Sequence, residues 1–195
     1  AESLRASLAE PLAGRRLELV ASALQDDPAR HEIPWRSSDS HIGRSSIVSA
    51  NPERATLWQE DASVSYRAET TVPATTIDAI LADAPGPLPF IKLDLEGADL
   101  LALKGATAAM QRLRPVVAFE NSSRAPKMHG LSVAEIAARL SALNYVPMDF
   151  VGQPMTEETW FGMFEAFAVP KERAEWLSVR LRAATARRMA AARRP

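Results

Sequence analysis

The stretch Pro89-Phe90-Ile91-Lys92-Leu93-Asp94-Leu95-Glu96-Gly97 constrains the fold more than any other. Phe90, Ile91, Leu93 and Leu95 form a short apolar run. Runs of this length bounded by Pro and Gly read as buried strands. Pro85-Gly86-Pro87 signals a turn before it, and Gly97 breaks it at the far end. Asp94 and Glu96 stand at the C-terminal edge, and a helical pattern starts at Asp99. A strand that ends in acids and feeds a helix is what an open α/β sheet sets at its ligand crevice, which lies outside the carboxyl ends of the strands. This edge is the expected functional centre.

The other segments alternate around it. Ala1–Leu12 reads as the end of a helix, stopped at Pro11-Leu12-Ala13-Gly14, and Arg15–Leu24 as a strand. Residues 30–66 are irregular: an inserted loop or β meander with a short strand at His31–Trp35, a Ser-rich loop, and further short strands at Thr56–Trp58 and Ser63–Tyr66. Such a stretch is a surface insertion or a lid over the substrate. Thr70–Val72 is extended, with Pro73 marking a strand edge, and Thr76–Asp83 is a short helix. Asp99–Arg112 is helical, but Gly105 inside it costs about 1 kcal/mol against Ala, so a break or a close approach is expected there. Pro115–Glu120 is a second short apolar strand ending in an acid. Ser132 and Glu135 form a capping-box pair that opens another helix. Tyr145–Phe150 and Met163–Val169 read as the last strands, with Phe164 and Phe167 as core candidates. Glu172–Ala192 closes the chain as a helix with an Arg-rich end.

Strands alternating with helices predict an α/β fold, a doubly wound and mainly parallel Rossmann-like sheet. Only a loop separates the last two strands, so they should pair antiparallel as a terminal hairpin. The expected organisation is one domain over residues 1–170, then a C-terminal helix and Arg-rich tail over 171–195.

Composition narrows the function classes. A net charge of -1 over 195 residues argues against bulk nucleic-acid binding. The Arg-rich tail reads as a solvated helix end, where cations suit the dipole. With no cysteine, thiol catalysis, disulfides and Cys-ligated zinc are excluded. No apolar run reaches the roughly 20 residues that span a membrane. There is no basic segment followed by an apolar core at the N-terminus, so the chain reads as a cytoplasmic-type soluble domain.

The acids carry the chemistry. If the two apolar strands are neighbours, Asp94 and Glu96 meet Glu120 and Asn121 at one sheet edge. Asp94 or Glu120 then serves as a general base. Oxygen ligands from Asp94, Glu120 and Asn121, completed by water, would also suit Mg²⁺. The bland alternative makes Asp94 a helix cap and Glu120 an acceptor for a backbone amide. His129, just past the second of these strands, is a further candidate base. Lys92, among apolar neighbours, is expected to pair with Glu120 or Glu96.

Several of these pieces together resemble a known family. Thr76-Ile77-Asp78, Ile91–Asp99, Leu103-Lys104-Gly105-Ala106 and Pro115–Glu120 closely resemble the FkbM family of S-adenosylmethionine-dependent methyltransferases. Ser22–Asp26 and Gly43–Ile47 also follow its pattern, and the likeness covers about residues 1–150. The resemblance implies a class I methyltransferase sheet and O-methylation of a hydroxyl, often on a sugar or natural product. With the reading of the acids this gives an expected catalytic edge of Asp94, Glu96, Glu120 and Asn121, with His129 a secondary candidate and the cofactor near Ala23 and Asp94. The acid and acid-Asn pair are similar to those of metal-dependent catechol-type O-methyltransferases. One departure stands out. The family's Gly-rich turn has no counterpart before Ala23, where Gly14 stands alone. The first two strands of the sheet are therefore expected to be missing, and the chain to bind the cofactor weakly or not at all. Two other readings remain: a non-catalytic methyltransferase-fold module for protein or carbohydrate contact, and an α/β enzyme that uses the acids for metal-assisted hydrolysis.

Overall fold

Among the described residues, eight strands form two four-stranded sheets, and five helices pack around them. The structure, a computed structural model, describes residues 18–37, 46–47, 70–121, 129–161 and 164–192. The strands are β1 (Ala23–Leu24), β2 (Glu32–Arg36), β3 (Ser46–Ile47), β4 (Thr70–Thr75), β5 (Phe90–Lys92), β6 (Val116–Glu120), β7 (Tyr145–Asp149) and β8 (Glu165–Pro170). The helices are α1 (Ile77–Ile80), α2 (Asp99–Lys104), α3 (Thr107–Leu113), α4 (Val133–Ala142) and α5 (Lys171–Ala192). The expected helix over Ala1–Leu12 and strands at Thr56–Trp58 and Ser63–Tyr66 lie outside the described residues.

The sheet orders are β1-β4-β2-β3 and β5-β6-β8-β7. Mixed α/β architecture is as expected, and so is the antiparallel pairing of β7 with β8. A single, mainly parallel sheet is not what forms. Two neighbouring pairs are parallel, β1 with β4 and β5 with β6, and four are antiparallel. The reason lies in the connections. After β1 the chain turns through Asp26–Arg30, and β2 comes back antiparallel to β4, while β8 inserts between β6 and β7. Of the strand expected over Arg15–Leu24, residues 15–17 lie outside the described residues, and of the rest Ala23–Leu24 is ladder-bonded.

Pro73 lies inside the sheet, not on its edge, because β4 has partners on both sides. The Ala74 N–H donates to the His31 carbonyl at 2.8 Å, on the β2 side. Successive N–H groups alternate along a strand, so the Pro73 nitrogen faces β1. The β1 ladder starts only at Ala74, and no donor is missed.

Around the second sheet the molecule is layered. Val117 and Phe119 of β6 pack with Leu100, Leu103, Met110, Leu113, Ile136 and Leu140 from α2, α3 and α4. On the other face Val116, Met148 and Val169 meet Ala174 and Leu177 of α5. Val116, Val117, Ala118 and Phe119 are all buried, as expected of a strand covered on both faces. Strand β5 differs. Among the described residues it pairs with β6 alone, and Phe90 is 48% exposed. The fully buried strand read from its composition is therefore an edge strand, and the buried residue is Leu93, just past it. Phe164, a core candidate by its bulk, is 66% exposed because it precedes β8 instead of lying in it.

The break at Gly105 is real and separates α2 from α3. A Cβ there would stand 2.2 Å from the Gln25 carbonyl oxygen, so only glycine lets the two backbones meet. Lys104 holds the same contact with an ion pair to Asp26 at 2.6 Å. Buried Gln25 accepts from the Asp27 N–H at 2.6 Å and donates to the Arg30 carbonyl at 3.0 Å, which shapes the turn into β2. Thr76 caps α1, and Asp78 accepts from Ala108 N–H at 3.0 Å and Ala109 N–H at 2.7 Å, capping α3. The first sheet packs on α2 through Ile33, Ala74, Ala98 and Leu101. These contacts set β1 opposite the turn that follows β5.

Candidate functional site

The chain leaves β5 through a tight turn. The N–H of Leu93 still donates to the Ala118 carbonyl at 2.8 Å, continuing the parallel ladder one residue beyond the strand. The backbone then goes left-handed twice, at Glu96 (φ 49°) and Gly97 (φ 93°). Glycine takes this conformation without cost; glutamate does not, and strain of this kind collects at functional sites. The turn closes with the Ala98 N–H on the Leu95 carbonyl at 3.2 Å, and α2 begins.

This turn and the first sheet enclose a cleft of about 440 Å³. Ala21, Ser22, Ala23 and Leu24 form one wall, Trp35, Val72 and Pro73 the floor, and Asp94, Leu95, Glu96 and Ala98 the other wall. The lining is mostly apolar, with two carboxylates on one side. That size and character are those of a site for a small molecule or cofactor.

Glu120 ends β6, next to β5 in the parallel register Lys92 to Ala118. Its side chain is half-buried, and its carboxyl is pushed up to about 7. Burial is the largest cause; the charges of Asp99, Glu96 and Asp94 add to it, and Lys92 opposes it. Asp94, Glu96 and Asp99 are thus within electrostatic reach of Glu120. A carboxylate poised near neutral pH is suited to moving a proton.

Asp99 was legible only as the first residue of a helix. It is 0% exposed and ties the edge together. Its Oδ2 accepts from the Leu95 N–H at 3.2 Å and its Oδ1 from the Glu120 N–H at 3.1 Å. Burial pushes its carboxyl up, while these backbone hydrogen bonds pull it down.

The remaining candidates fall in different places. Ala23 lines the cleft, as do Asp94 and Glu96. Asn121 is buried and gives its side-chain amide to the Trp160 carbonyl, while its backbone N–H donates to Phe164 at 2.6 Å. It anchors the connector before β8. His129 is half-buried, just before α4, and is not among the residues lining the cleft. Lys92 pairs with Asp94 at 3.4 Å and donates to the Leu93 carbonyl at 3.0 Å, not with Glu120 or Glu96 as expected. An exposed edge lets its long side chain fold back on its own strand. Among the described residues no group of three or more His, Cys, Asp or Glu is placed to hold a metal ion. The Mg²⁺ expected on Asp94, Glu120 and Asn121 is not supported: Asp94 pairs with Lys92, whose positive charge takes the place a cation would need. Nor is any helix among the described residues long and apolar enough to cross a membrane.

The family model described as Methyltransferase FkbM domain matches residues 5–147. No curated protein and no solved structure matches the chain. The matched span holds the cleft, both acid-tipped strands and the Gln25–Gly105 contact; α5 lies beyond it. The chain belongs to the FkbM methyltransferase family.

Proposed function

We propose that the chain carries out S-adenosylmethionine-dependent O-methylation of a hydroxyl on a sugar or natural product. The observation that supports this most is the half-buried Glu120, its carboxyl pushed up to about 7 and within electrostatic reach of Asp94 and Glu96, which line the apolar cleft. Ala23, Leu24, Leu95 and Ala98 fit the apolar part of the cofactor, and Asp94 and Glu96 its hydroxyls. When bound, the cofactor supplies an electrophilic methyl group. Glu120 would accept the proton of the acceptor hydroxyl as that oxygen takes the methyl group, the sulfur–methyl bond breaking as the oxygen–methyl bond forms and S-adenosylhomocysteine being left behind, and would later release the proton to water. The wall at Leu95–Ala98 excludes water on one side and helps align the acceptor, and alignment supplies much of the rate of a displacement.

The described cleft has no Gly-rich turn to embrace the cofactor, so its affinity should be weak, with a Kd on the order of 1 mM, or about -4 kcal/mol. Calorimetric titration with S-adenosylhomocysteine measures this. Transfer of labelled methyl groups to a panel of sugar and polyketide alcohols tests the reaction. Replacing Glu120 by Gln should slow transfer roughly 100-fold, the lower end for loss of a general base. Equal rates for Glu120→Gln and the parent would remove Glu120 from the mechanism. A second reading, a non-catalytic module, draws on the outward edge of β5 with its exposed Phe90. It is favoured if neither Asp94→Asn nor Glu120→Gln changes what the protein does.

A further inference from the structure

The two acid-bearing tips are separate pieces of backbone. Leu95 sits between Asp94 and Glu96, and Glu120 ends the neighbouring strand. The ladder between β5 and β6 carries only as far as the Leu93 N–H. Beyond it the turn departs through two left-handed residues, and a turn of that kind keeps its shape only where its surroundings fix it. One side chain spans the gap. Asp99 is wholly buried, and a buried carboxylate is costly unless its oxygens are satisfied. One oxygen takes the Leu95 N–H and the other the Glu120 N–H.

We infer that Asp99 is the positioning residue of the candidate catalytic edge: its single carboxylate, bonded to both tips, sets the spacing of Asp94 and Glu96 from Glu120. It is not itself among the residues lining the cleft, so it acts through the others. The inference rests on the methyltransferase reading for its kinetic consequence, but not for its geometry. The residue type matters. Asparagine has one acceptor oxygen, and its NH₂ would oppose the second amide donor, so it can hold only one tip. Alanine holds neither.

The test uses the full chain and its Asp99→Asn and Asp99→Ala variants. In amide NMR spectra the Leu95 and Glu120 protons of the parent should lie downfield and exchange slowly. One of the two should lose that signature in Asp99→Asn, and both in Asp99→Ala. With circular dichroism unchanged, kcat per folded molecule should fall about 100-fold, as expected for a misplacement near 1 Å, while the KM of the acceptor moves much less. A plain structural cap would lower the melting temperature and leave kcat of the folded molecules alone, and that outcome overturns the inference. So does a folded variant whose Leu95 and Glu120 amides are unmoved. If Asp99→Ala does not fold, Asp99→Asn carries both readouts. If the parent transfers no methyl group at all, the enzymatic reading fails by itself, and the amide signals still decide whether Asp99 joins the tips.

Discussion

Glu120 carries a pH dependence whose sign follows from its surroundings. Its carboxyl titrates near 4.5 when unfolded and near 7 in the fold. Between those values the folded chain binds more protons, so stability falls as pH rises through the window, and the whole cost is present above about 7. Glu120→Gln should therefore be more stable than the parent in urea titrations at about pH 8, with the gap closing below about pH 4.5. Activity should run the opposite way, rising through pH 7 as the base loses its proton. At Gly105 the demand is steric. Gly105→Ala should lower the unfolding free energy by about 1–3 kcal/mol, because the new methyl must displace the Gln25 backbone. Glycine at 105 was legible as a break, but its partner was not. Asp99 was hidden in a similar way, since an acid opening a helix is an ordinary signal and nothing in the linear chain says that its oxygen reaches an amide 21 residues on.

Among the elements, the ones with their own local signals were the most legible. The capping box at Ser132–Glu135 is present with both of its reciprocal bonds. Ser132→Ala should cost about 1 kcal/mol, seen as a lower urea midpoint with the slope unchanged. Strands β6 and β7 were equally plain, as apolar runs between turn residues. Strand β5 shows where composition stops. Apolar residues report that faces are covered, whereas edge status depends on whether another backbone lies alongside. Phe90 and Ile91 look the same in either case. The motif pieces also divide by role in a way their spelling does not disclose. Thr76 and Asp78 cap helices, Lys104 and Gly105 lock a turn, and the Asp94–Ala98 segment borders the cleft.

At the scale of the whole molecule, α5 is joined to the layers beneath it by Arg114. Its guanidinium meets Glu172 at 2.9 and 2.7 Å, donates to the Leu143 carbonyl at 2.7 Å and stacks over Tyr145 at 4.7 Å. The Arg114 hydrogen bonds hold the Glu172 carboxyl down at about 2. Such a depressed acid stabilises the fold above its unfolded value of 4.5, and that contribution is lost as pH falls towards 2. Glu172 is largely solvated, so Glu172→Gln should cost no more than about 1 kcal/mol near neutral pH and nothing in acid, measured by urea titration. The split into two sheets was the least legible feature, because it is decided by long-range pairing and not by any single segment. The first sheet, through β1, nevertheless supplies the wall that turns the acid edge into a cleft. Methyl transfer at this edge requires the cofactor to sit in that cleft. Titrating the labelled chain with S-adenosylhomocysteine and following its amide signals tests this most directly. Shifts centred on Ala23, Leu24, Leu95, Glu96 and Ala98, small at low ligand and growing into the millimolar range, are expected; shifts centred elsewhere, or none at saturating ligand, would contradict a cofactor site in this cleft.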